Sequence, residues 1–282
     1  MTRTSDISLG FGTAGISSLP WRHTVNRLLR TAFDGGVRHF DTAPLYGKGY
    51  AEQLLGDFCK GRRSALTLTT KFGLGGSADL PLPATLALPL NYYRKKLKGI
   101  PVTLAPGEPV EPAPLTFRRI DLASVEQSLA TSLKRLQTDH IDFYLLHEAL
   151  PGFLDKGVLD LLLSKKQQGV IRHLGVATDG ANLQGLTDAD LVHWDVLQYE
   201  AGPWQEALKK KFPDKLHFIH SILKYIHRQP APQGVSAEQW AGTLLARQAS
   251  NGLADRLIFS TRSGARLQQN ITTFQRETTA HG

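Results

Sequence analysis

Short apolar runs rich in β-branched residues alternate along this chain with longer amphipathic segments, and eight such runs can be counted. They are ISLGFGT (7–13), VRHFDT (37–42), LTLTTK (66–71), IDFYLLH (141–147), IRHLGVAT (171–178), DVLQYE (195–200), LHFIHS (216–221) and RLIFST (256–261). Each reads as a strand, and each is followed by a segment able to form a helix. The clearest helix is 121–137, where Leu122, Val125, Leu129, Leu133 and Leu136 recur at the spacing of one buried face. Eight βα units predict a closed (β/α)8 TIM barrel of parallel strands rather than an open sheet. The last strand is followed by SGARLQQNITTF, a short helix that closes the ring near residue 275.

One stretch breaks the rhythm. Residues 72–118 separate the third strand from its helix and include GLGGSADLPLPATLALPL and PVTLAPGEPVEPAPL, where proline and glycine oppose regular structure. Its place after a strand sets it over the C-terminal mouth of the barrel, so it is expected to be a substrate-covering loop; a surface insertion is the alternative. With no composition shift elsewhere, 1–282 is expected to form a single barrel domain.

The 282 residues, 41 % of them hydrophobic, suffice for a large core. The first ten residues lack a signal-peptide pattern and no run reaches the ~18 apolar residues of a membrane span, so a cytoplasmic protein is expected. A single cysteine, Cys59, excludes an internal disulfide and a cysteine-rich zinc site. The net charge of +8 admits an anionic ligand, but the basic clusters at 92–99 and 208–212 match no nucleic-acid motif and are read as solvated surface. No nucleic-acid partner is expected, and oligomeric state is left open.

Three strands end on a titratable residue: Asp41, Lys71 and His147, with Tyr46 in the loop after Asp41. In a barrel these ends converge, and adjacent strands lie about 4.8 Å apart. An ammonium near a phenol favours the phenolate, so Lys71 would tune Tyr46 downward. A partly closed site cannot hold an isolated ammonium cheaply, and Asp41 is placed to supply the counter-charge. His147 could donate a hydrogen bond to a carbonyl oxygen. His39 shares a face with Asp41 and reads as core, while His217 and His220, three apart on a strand, face opposite sides, so no metal site is assigned. After the last strand, the helix start and Arg262 and Arg266 suit an anion.

These residues resemble the aldo-keto reductases. FDTAPLYGKGYAEQLLG is similar to that family's Asp-Thr-Ala-x-x-Tyr-Gly segment, LTTKFG to its lysine strand, and SVEQSLATSLKRLQTDHIDFYLLH to its helix and histidine strand. GVIRHLGVAT, VLQYE and FSTRSGARLQQN resemble later motifs. The resemblance implies that Tyr46 is the proton donor, supported by Lys71 and Asp41, that His147 orients a small-molecule carbonyl substrate, and that the cofactor is NADPH. It places Gly12, Thr13, Asp41, Thr178, Gln198 and His220 on the cofactor's nicotinamide side, and Ser260, Thr261, Arg262, Arg266, Gln269 and Asn270 around its adenosine phosphate. The family's Ser-Asn pair reads Ala177-Thr178 here, its stacking aromatic reads His220, and a lysine after the last strand reads Ser260, leaving Arg262 as substitute. The implied reaction is reduction of an aldehyde or ketone, or the reverse oxidation of an alcohol or sugar. Two rival readings use the same residues: a non-catalytic NADP-binding regulatory or redox-sensing protein, and a phosphate-binding lyase or isomerase on the same fold.

Overall fold

A computed structural model describes residues 7–74, 82–98, 119–224 and 231–279. Eight parallel strands, β1 (Ser8–Gly12), β2 (His39–Asp41), β3 (Thr67–Phe72), β4 (Ile141–His147), β5 (Ile171–Ala177), β6 (Val196–Glu200), β7 (Leu216–His220) and β8 (Arg256–Phe259), close into a barrel in chain order. This is the expected (β/α)8 architecture, with every strand a residue or more shorter than its apolar run except β4, which keeps both ends, and β3, which keeps its length and shifts by one residue. Around it lie α1 (Arg22–Asp34), α2 (Tyr50–Cys59), α3 (Ala84–Lys98), α4 (Leu122–Leu136), α5 (Val158–Gln167), α6 (Gly180–Gln184), α7 (Asp188–Leu191), α8 (Gln205–Lys211), α9 (Ala237–Ser250) and α10 (Gly264–Thr279).

The alternation of strand side chains produces two cores. Inside the ring, Phe143, Leu145, Ala177, Val196, Phe218 and Ile258 pack together. Outward-facing strand residues such as Phe40, Leu68, Tyr144 and Leu174 meet the helices in a larger second cluster. His39 is a core residue as expected, 1 % exposed, with its ring 5.6 Å from Phe143 and 5.4 Å from Phe218. Its burial, with Arg256 and Lys71 nearby, holds its pKa well below the usual value, so it is a neutral hydrogen-bonding partner for Thr67, Thr69 and Arg256. Gly10 opposite admits it: a Cβ there would stand 2.7 Å from the His39 ring.

At the N-terminal ends of the strands three aspartates repeat one device. Asp142 accepts the Leu68 N–H, Asp195 the Leu174 N–H and Asp255 the His217 N–H, each from the preceding strand. Their second partners are cations: Arg63 and Arg172 for Asp142, Lys166 for Asp195 and Lys209 for Asp255. Strand pairs β3–β4, β5–β6 and β7–β8 are thereby locked at the face opposite the mouth.

Three expectations are corrected. Part of the 72–118 stretch is regular: α3 runs through Pro89 because Ala84, Ala87 and Leu88 are buried, and packing there overrides the local cost of proline. Residues 75–81 and 99–118 of that stretch lie outside the described residues. In α4, Leu122 is exposed; it sits in the first turn after the Asp121 cap, while Val125, Leu129 and Leu136 are buried as expected. The last helix also extends beyond 275, to Thr279.

Candidate active site

The C-terminal strand ends surround a cavity of about 880 Å3. Asp41, Tyr46, Lys71 and His147 all line it. The Lys71 ammonium donates to both Asp41 carboxylate oxygens, at 2.8 and 2.9 Å, to the Thr42 carbonyl at 3.0 Å and to the Tyr46 hydroxyl oxygen at 3.4 Å. Gln198, from β6, donates its amide to Asp41 at 2.8 Å. The carboxylate thus receives three charge-assisted bonds while only 3 % exposed, and so is well compensated in a dry site.

These residues do not stand opposite one another. Asp41 pairs with Thr69, two residues before Lys71, and Lys71 pairs with Leu145, two before His147. Each step to the next strand climbs by two positions because barrel strands tilt, and the long lysine side chain reaches back across the offset. The stagger between neighbouring strands, not side-by-side register, brings the groups together.

Tyr46 opens a tight turn, Tyr46–Gly49, in which Gly47, Lys48 and Gly49 take left-handed φ of 60°, 58° and 95°. Gly49 faces the Arg135 guanidinium, and a Cβ there would lie 2.5 Å from it. Arg135 pairs with Glu52 at 3.3 Å, and Glu52 accepts the Thr70 hydroxyl at 2.7 Å. The turn is therefore buttressed by α2, α4 and β3, next to Lys71 itself.

The electrostatics correct one expectation. Burial raises the Tyr46 pKa; Lys71 pulls it down, through charge and hydrogen bond, but burial prevails, so the phenol is protonated near neutrality. Burial opposes the Lys71 charge, yet Asp41 and Tyr46 outweigh it and the amine stays an ammonium. His147 is held neutral, its pKa lowered to about 3 by burial, Lys71 and His220, and its Nδ1 is buried without a partner. Its ring stands edge-on to Tyr46, centroids 6.1 Å apart.

Of the other expected residues, Gly12, Gln198, His220, Ser260 and Arg262 line the same cavity. Five more do not. The Thr13 hydroxyl is spent on the Asp41 carbonyl, Thr178 accepts from Asn182, and Thr261 accepts the Ser263 N–H. Arg266 pairs with Glu238 at 3.4 Å, and Asn270, 3 % exposed, faces the Arg266 and Glu238 carbonyls. Gln269 is half-buried beside it and lines neither cavity. His217 is structural, bonded to Tyr199 and the Phe212 carbonyl. None of the described residues of α3 lines the cavity.

Sequence reasoning missed Glu148 and Lys224, which also line it, and a second hollow of about 360 Å3 formed by Thr24, Arg27, Thr31 and Arg262. Glu148 follows His147 at a strand end, a signal that was available. Thr24, Arg27 and Thr31 look like any solvated helix face.

The model of the Aldo/keto reductase family matches residues 8–216. Aldo-keto reductase YhdN of Bacillus subtilis is 27 % identical over 175 residues, 60 % of this chain and 42 % of that protein. Aldo-keto reductase yakc [NADP(+)] of Schizosaccharomyces pombe is 28 % identical over 180 residues, 62 % of this chain and 43 % of its own. The chain thus matches less than half the length of these relatives. An aldo-keto reductase from Klebsiella pneumoniae solved with NADPH shares the fold, with a TM-score of 0.61, 18 % identity, and coverage of 95 % of this chain and 85 % of that one.

Proposed function

Because the chain belongs to the Aldo/keto reductase family, we propose that it is an NADPH-dependent oxidoreductase that reduces an aldehyde or ketone, with Tyr46 as proton donor. The observation that carries this reading is the unbroken chain of contacts from Asp41 through Lys71 to the Tyr46 hydroxyl inside a cavity that His147 also lines.

The residues present fit the cofactor. Gln198 Oε1 is buried without a partner at the cavity wall, an acceptor suited to an amide N–H. Arg262 borders both hollows and can donate to phosphate where they adjoin. The yeast relative's name specifies NADP(+). When bound, NADPH supplies the hydride that reaches the carbonyl carbon. Arg266 can take a phosphate role only by leaving Glu238, an exposed and weakly held partner.

The chain's own residues do the rest. A carbonyl oxygen between Tyr46 and His147 accepts hydrogen bonds from the phenol and from a neutral imidazole N–H. As negative charge develops on that oxygen, Tyr46 gives up its proton to it. The phenolate left behind lies against the Lys71 ammonium, and Asp41 with Gln198 keeps that ammonium in place. Tyr46→Phe removes the proton and is expected to slow single-turnover NADPH oxidation by roughly 10²–10⁴-fold. Turnover equal to the parent's across a panel of aldehydes would remove Tyr46 from the role.

A further inference from the structure

The geometry points to Glu148 as a specificity-determining residue: its carboxylate selects carbonyl compounds that carry a cationic substituent near the reacting group and rejects those that carry an anionic one. The inference rests on the carbonyl-reductase reading of the same cavity and adds the charge of the substrate to it.

Glu148 directly follows His147 and has a φ of 52°, in the left-handed region that a residue with a Cβ rarely adopts. The conformation is held by its N–H, which donates to the Ala177 carbonyl at 2.7 Å. This turn sets Glu148, next to His147 in the chain, among the residues that line the cavity, with its carboxylate near enough to feel the Lys71 charge. No Lys, Arg or His among the described residues forms an ion pair with it. The other carboxylate of the cavity, Asp41, is already neutralised by Lys71.

The surroundings make this wall negative. Asp179 and Glu200 are close enough to Glu148 to act on it, and Glu200 is fixed by the Gly180 N–H at 3.0 Å. Burial first, then the Asp179 and Glu200 charges, raises the Glu148 pKa, outweighing the Lys71 charge and a hydrogen bond from Thr178 that pull it the other way. Lys224 and Arg262 also line the cavity. The cavity is therefore bipolar: Arg262 suits phosphate, and the Glu148 wall suits a cation. Independent of charge, His147 Nδ1 and Gln198 Oε1 in the same cavity are buried polar atoms without partners, in side chains only 6 % and 2 % exposed, which marks the space as built for a polar ligand.

The test uses three aldehydes of one shape: 3-carboxybenzaldehyde, benzaldehyde and 3-(trimethylammonio)benzaldehyde, with NADPH. The parent is expected to show kcat/KM rising from anion to neutral to cation. In Glu148→Gln the cation-to-anion ratio should fall on the order of tenfold, the size of one unit charge at several ångströms in a partly solvated site. Glu148→Lys should invert the order. Isothermal titration of the same aldehydes into the protein loaded with oxidised NADP+ reads the preference without turnover. If no aldehyde is reduced but the binding order and its loss in Glu148→Gln persist, the reductase reading fails and the Glu148 assignment stands. An equal change for all three compounds, or a shift in NADPH affinity with the ratio untouched, overturns it.

Discussion

Replacing Lys71 with Met tests the centre of the site through stability rather than activity. The ammonium sits 2.8 and 2.9 Å from the two oxygens of Asp41, a pair whose side chains are 3 % and 4 % exposed. At 2.8 Å, and an effective dielectric of about 20, the gross attraction is roughly 6 kcal/mol, most of it offset by desolvating both ions. Removing one partner abolishes the attraction and leaves the desolvation cost. Lys71→Met strands the Asp41 carboxylate with only Gln198 donating to it, so it should cost about 3–5 kcal/mol in urea denaturation at pH 7. Asp41→Asn strands the ammonium and should cost about as much. The double variant buries neither charge, so it should recover about 2 kcal/mol or more relative to the sum of the singles. Reduction should not recover with it, since Tyr46 still lacks its ammonium. Strictly additive stabilities, or single losses below about 1 kcal/mol, would show that the pair is not a buried, mutually dependent unit.

Three further outcomes follow from the same geometry. Because burial holds the Tyr46 pKa above its usual value of 10.0, the donor form is populated at neutral pH; the reductive rate should fall only above about pH 10, and no limb near pH 6.5 should appear, because His147 with a pKa of about 3 is neutral throughout. A stopped-flow pH profile with a limb at 6.5 would contradict the neutral imidazole. Gly49→Ala should lower kcat more than it changes NADPH affinity, since a Cβ there meets the Arg135 guanidinium and displaces the turn carrying Tyr46; unchanged kcat would sever that link. Burial pushes the Asp195 pKa up, but hydrogen bonds from His173, Lys166 and the Leu174 N–H outweigh it and depress it to about 2. Its stability contribution is then complete above the unfolded value of about 3.9 and lost as pH falls through about 2, so Asp195→Asn should cost about 1 kcal/mol at pH 7, after screening of a half-buried pair, and only a small fraction of that at pH 2; an equal deficit at both pH values would refute the linkage.

The barrel was legible because its periodicity is local: each strand run buries residues on both faces, and eight of them can be counted without knowing any contact. The identities at the mouth were legible for a related reason. Asp41, Lys71 and His147 interrupt apolar strand ends, where a charged side chain must either reach solvent or find a partner. What the residue order does not encode is the two-residue climb from strand to strand, which the ring's tilt imposes and which decides that Lys71, not a residue level with Asp41, completes the pair. Nor does it encode the balance at Tyr46. A lysine nearby argues for a lowered phenol pKa, but burial depends on what the rest of the ring excludes, and in this cavity exclusion of water is the larger effect. The same reasoning separates Arg262 from Arg266. Both look equally able to meet a phosphate along the sequence, yet Arg262 lies in the β8–α10 loop at the cavity rim, while Arg266, one turn further into α10, faces Glu238 of α9. The packing of α10 against α9 thus gives the two arginines different surroundings.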